Sequence, residues 1–172
     1  MGLHLNIIDI ATSMMRSVNK AVSTMSAINL KELPLVNLEP LPEFWVKGPR
    51  GTFVSIMLFD QKEKKWARGA IAVFISAEQI QTLFSKAYGV DAGSPASEII
   101  DVCGEFCNVV AGGFKKELAG LNYGEVEINV PENYYQEVNK KLNLVIHCKY
   151  QLIFSYKGVD LLTVDVAMES PD

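Results

Sequence analysis

The 172-residue chain reads as an α+β domain, an antiparallel sheet with helices packed on one side. Three observations predict this class. Short apolar, β-rich runs are joined by tight polar turns, which pairs strands antiparallel. Other stretches repeat their apolar residues at helical spacing. The order of these segments, α-ββ-α-α-β-β-β, leaves helices free to cover one face of a hairpin-built sheet.

Residues 5–26 form the first amphipathic helix, with Ile7, Ile8, Ala11, Met14, Met15, Val18, Val22 and Met25 as its apolar face. Its methionines suit either a core filling irregular gaps or a partner surface, and core packing is favoured. Pro34 to Pro42 (PLVNLEPLP) cannot be helical and is expected to be an extended, packed crossing segment. Thr52–Asp60 and Trp66–Ile75 read as a hairpin with a charged turn at 61–65. Ser76 with Gln79 makes a capping box for a second helix, 77–88, that ends near Gly89.

Ser94-Pro95 predicts the start of a third helix, Ser as N-cap and Pro as first helical residue, running to Ala119-Gly120. Strands are expected at Gly124–Val130, Leu142–Tyr156 and Val159–Met168. The middle one is long enough to bend or to be two. Lys157-Gly158 joins the last pair as a tight turn. The polar segment Pro131–Lys141 is expected to protrude between strands.

With hydrophobic residues at 49% and charged residues at 21%, the chain fits one globular domain, 1–172, and not a disordered one. Net charge −4 and the lack of a basic stripe give nucleic-acid binding little electrostatic support. Asp9, Arg16 and Lys20 break the first apolar stretch, which argues against both a membrane span and a secretory signal. Three cysteines, two of them on the apolar face of one helix, point to reduced core thiols and a cytoplasmic location. With only His4 and His147 and no His/Cys cluster at metal spacing, no bound metal or cofactor is expected.

The third helix carries the chemistry. Asp101, Glu105 and Asn108 recur at spacings of four and three, so they project within a narrow arc, and Gly112 and Lys115 continue the stripe. The opposite face holds Ile100, Cys103, Cys107, Val110, Phe114 and Leu118. A carboxylate and a carboxamide therefore stand side by side on the outward face of an anchored helix. The Gly112-Gly113 pair costs about 1 kcal/mol per glycine relative to alanine, which close approach of a partner or neighbouring segment would offset. Alone, an exposed Glu-x-x-Asn is more often solvated surface. Asp101 divides evenly between helix-dipole stabilisation and partner contact.

Together with Pro131, twenty-two residues beyond Asn108, this pattern resembles the CheC/CheX/FliY family of chemotaxis phosphatases. Gly104-Glu105, Asn108, Ala111-Gly112, Lys115 and Leu118 are similar to the CheX version. The first helix has no Glu-x-x-Asn, which favours the one-site branch. The resemblance implies that the chain dephosphorylates a phosphorylated CheY-type response regulator. Asn108 would position the attacking water and Glu105 would pair with the regulator's active-site lysine. Asp101, Gly112 and Lys115 would contact the partner. Mg²⁺ would be held by the regulator and not by this chain.

A carboxamide suits the water-positioning task because it both donates and accepts without changing protonation. A non-catalytic module that only docks a regulator is the alternative, and a purely structural oligomerisation domain would leave the polar stripe unexplained. A homodimer is also expected. The apolar strand Leu161–Met168 would leave an open sheet edge in a monomer, and relatives of the CheX type join sheets between subunits.

Overall fold

In the computed structural model, which describes residues 7–40, 43–61, 64–121 and 125–169, helix α1 (Ile7–Ser26) turns one continuous apolar stripe inward. Ile10, Met14, Val18, Ala21 and Val22 are wholly buried, whereas Ile8, placed by spacing on that face, is exposed. The sheet follows: β1 (Leu35–Pro40), β3 (Thr52–Gln61), β4 (Lys64–Ser76), β5 (Val126–Ile128), β6 (Glu132–Tyr134), β8 (Ile146–Tyr156) and β9 (Val159–Glu169). Its order is β1-β8-β9-β4-β3-β5, with β6 also paired to β3, and every pairing is antiparallel. β2 (Phe44–Gly48) and β7 (Val138–Leu142) form a separate two-stranded ribbon.

Alternation along the central strands sorts side chains between two faces, because successive residues of a strand point to opposite sides. On β3, Phe53, Met57 and Phe59 join the helix-side core with α1, α2 (Ala77–Tyr88) and α3 (Ala96–Gly120). Val54 and Ile56 point the other way, against Phe44, Val46, Val138 and Leu142 of the ribbon. All three helices thus lie on one face, as the sequence predicts. The ribbon on the other face was not foreseen.

Three segments depart from expectation. Pro34–Pro42 contains an edge strand, not a packed crossing: β1 pairs with β8, and all six of its residues are exposed. Residues 41–42 lie outside the described residues. Proline is tolerated there because an edge strand has one side free of ladder bonds. Pro131–Lys141 does not simply protrude. Its ends become β6 on the main sheet and β7 in the ribbon, with Glu132, Gln136, Glu137 and Asn139 exposed while Val138 is buried. The long stretch 142–156 divides, as its length allowed, between the end of β7 and β8.

The C-terminal strand is the third. The apolar pattern of Leu161–Met168 predicts an open edge for a homodimer, but β9 lies inside the sheet between β8 and β4. An open edge lies instead at β1, the end strand of the sheet.

Local signals were mostly followed. The Ser76–Gln79 capping box is present and α2 ends at Gly89 in the left-handed conformation. Lys157 and Gly158 both have positive φ, 51° and 77°, the pattern of a type I′ hairpin turn. Strands β3 and β4 run on to Gln61 and Lys64, shortening the expected turn, with 62–63 outside the described residues. Ser94 does not cap α3. Its hydroxyl accepts from the Asp91 amide instead, and Pro95 occupies the cap position. Among the described residues no helix is long and apolar enough to cross a membrane.

Candidate active site

Helix α3 is the longest helix of the fold, and its inner face explains why it is held firmly. Ile99, Cys103, Phe106, Cys107, Val110, Phe114 and Leu118 are fully buried; Ile99 takes the inward position assigned above to Ile100. Each fully buried large apolar side chain contributes about 1.5–3 kcal/mol. Phe114 meets Phe59 of β3 edge-to-face at 5.6 Å, and Phe106 meets Phe84 of α2 at 5.8 Å. Arg16 of α1 reaches Glu117 at 3.5 Å. The helix is therefore clamped by sheet and by both other helices.

The outward face carries the predicted stripe intact. Asp101, Glu105, Asn108, Gly112 and Lys115 are all exposed, and the 3.6-residue period keeps them on one side. Among the described residues, none of the charged or polar members of this stripe has a side-chain hydrogen bond or ion pair. Nothing in the fold accounts for them.

The adjacent glycines play separate parts. A β-carbon on Gly113 would touch the Ser17 side chain of α1 at 3.4 Å, so this glycine serves helix–helix contact inside the chain. At Gly112 nothing lies within 4 Å. The expected close neighbour exists for the second glycine and is missing at the first, which leaves open surface beside Lys115.

Gly104 is buried, and its lack of a side chain lets β6 approach. A β-carbon there would stand 2.9 Å from Asn133 Nδ2. The oxygen of the same amide accepts from the buried Ser55 hydroxyl of β3 at 2.7 Å. Pro131, half-buried two residues before Asn133, is thereby brought to the flank of the helix that bears Glu105 and Asn108. Sequence reasoning missed Asn133 and Ser55. The one signal was that residues 132–135 after Pro131 are large and polar.

Cys103 and Cys107 belong to the core. Burial pushes both thiols up, Cys107 to about 12, so they stay protonated. Among the described residues no group of three or more His, Cys, Asp or Glu side chains is placed to hold a metal.

Residues 63–148, half of the chain, match the family model described as chemotaxis phosphatase CheX. The chain belongs to the CheX family. The matched region contains α3 with Glu105 and Asn108, and the family is one of chemotaxis phosphatases.

Solved structures agree on the CheX-like fold. A CheC-like superfamily protein from Shewanella sp. PV-4 superposes with TM-score 0.71 at 20% identity, over 96% of this chain and 100% of the other. The chemotaxis protein CheX from Desulfovibrio desulfuricans gives TM-score 0.70 at 15% identity, over 94% and 99%. A third, from Borrelia burgdorferi, is CheX in a complex with CheY, BeF₃ and Mg²⁺; it gives TM-score 0.68 at 17% identity, over 95% and 99%. Comparison with curated proteins yields no match.

Proposed function

We propose that this CheX-family chain hydrolyses the phospho-aspartate of a CheY-type response regulator. The observation that carries the reading is the exposed, internally unpartnered stripe Asp101, Glu105, Asn108, Gly112 and Lys115 on a helix whose other face is locked into the core. The Borrelia relative, bound to CheY, supports a regulator as the partner.

The regulator supplies the acyl phosphate and the Mg²⁺; this chain supplies position. The Asn108 carboxamide accepts from and donates to one water, holding it in line with phosphorus. Water adds as the P–O bond to aspartate breaks, the carboxylate leaves with the bonding electrons, and inorganic phosphate and a proton are released. Glu105 does not approach the phosphate, because like charges repel. It pairs with the regulator's lysine, a cation of opposite sign. Asp101 and Lys115 flank the contact, and open space at Gly112 admits the partner backbone.

The test is the decay of phosphorylated regulator with and without the protein. Asn108→Ala should slow dephosphorylation by roughly 10²-fold, the size typical of deleting one preorganised polar group. Regulator binding should change little, since the amide acts mainly in the transition state. Equal loss of binding and turnover would make Asn108 an interface residue. Unchanged turnover would remove the phosphatase reading and leave a docking module.

A further inference from the structure

A hydrogen bond from the core anchors a side chain at the edge of the site. Ser55, fully buried, donates its single hydrogen to Asn133 Oδ1 at 2.7 Å.

The consequence lies in the other half of the Asn133 amide. With Oδ1 held from beneath, Nδ2 is turned over Gly104, one residue before Glu105 and one helical turn before Asn108. Among the described residues nothing accepts a hydrogen bond from this Nδ2. Position 104 adjoins 101, 105 and 108 on the helical net, so a partner that covers Asn108 and Glu105 also covers this nitrogen. Covering an amide donor without giving it an acceptor forfeits its hydration, so a well-fitted partner must supply an oxygen there.

We propose that Asn133 is a second docking carboxamide of the site, its Nδ2 donating to an acceptor oxygen of the bound response regulator. The proposal rests on the phosphatase reading for its partner, but it concerns binding and not the water. The acceptor is either a phosphoryl oxygen or an oxygen of the regulator protein.

The test measures binding of unphosphorylated and beryllofluoride-bound regulator to wild type, Asn133→Ala and Asn133→Asp, with melting temperature as control and Asn108→Ala turnover in parallel. Both Asn133 variants should weaken binding, by roughly tenfold, the equivalent of one hydrogen bond at 1.4 kcal/mol per decade. The aspartate keeps the oxygen bonded to Ser55 but exchanges the donor for a charged oxygen, so a loss shared by the uncharged Asn133→Ala at unchanged melting temperature separates docking both from support of the fold and from added charge. Loss confined to the beryllofluoride form assigns the phosphoryl oxygen; equal loss in both assigns a protein oxygen. Wild-type binding by Asn133→Asp overturns the proposal, whether or not Asn133→Ala is impaired. Intact turnover in Asn108→Ala alongside weakened Asn133 variants would overturn the phosphatase reading while leaving this one standing.

Discussion

Gly104 of α3 and Asn133 of β6 face each other so closely that a β-carbon on the glycine would stand 2.9 Å from the asparagine Nδ2. Real β-carbons avoid such distances, so a side chain at position 104 would have to displace the Asn133 amide that Ser55 holds. The pair sets the spacing between the helix that bears Glu105 and Asn108 and the strand that follows Pro131.

Gly104→Ala therefore tests that spacing. Alanine gains up to about 1 kcal/mol of helix propensity over glycine, which opposes the cost of the contact. The expected outcome is a melting temperature close to wild type with regulator dephosphorylation reduced several-fold. Adding Asn133→Ala removes the collision, so the double variant should lose no more than Asn133→Ala alone. Additive loss in the double variant, read in a double-mutant cycle, would show that the two residues are not coupled.

Glu105→Lys probes the charge on the stripe. Since Glu105 has no ion-pair partner among the described residues, reversing it costs the fold little. Regulator association should slow, and the salt dependence of the on-rate should weaken or change sign. Stopped-flow association at low and moderate salt checks this. Unaltered binding would remove the lysine salt bridge from the reading.

A homodimer through β1 is the expected assembly. This edge strand exposes Leu35 and Leu38 at 61% and 59%, and its open ladder can pair with a second copy. Light scattering should give about twice the chain mass, and Leu38→Lys should shift it toward one chain. A monomer of the wild type at micromolar concentration would contradict the expectation.

Asp165 gives the fold a pH dependence. It is 4% exposed, and burial raises its carboxyl above the usual range despite Lys149 at 3.2 Å, while Oδ1 has no partner. A raised folded-state value means the native state holds the proton more tightly than the unfolded chain. That contribution is complete below the unfolded value of about 3.9 and is lost as pH rises through the folded value. Relative to Asp165→Asn, wild type should therefore be more stable near pH 4 than near pH 7. Urea unfolding of both proteins at the two pH values measures the difference, and the reverse trend would contradict it.

What was legible from residues alone was whatever depends on local period and local chemistry. The 101–105–108–112–115 stripe needs only 3.6 residues per turn to share a face, so its shared outward face was legible without the tertiary structure. The capping box at Ser76 and the turn at Lys157-Gly158 are equally local. Ser94 shows the limit: its hydroxyl was drawn to Asp91, and one competing donor was enough to move the cap.

The sequence by itself determined the helices, the antiparallel character of the sheet, and the outward stripe of α3. Only the tertiary structure decided which strand is the edge, because strand order depends on pairing between segments far apart in the chain: β9 is enclosed by β8 and β4 while β1 stays open. Only it could place the ribbon of β2 and β7, whose partners are ninety residues and more apart. And only it could join Asn133 to Ser55 and Gly104, three residues on three elements, each unremarkable alone. Such contacts arise from burying both faces of the sheet at once, a global condition that no single segment's pattern encodes.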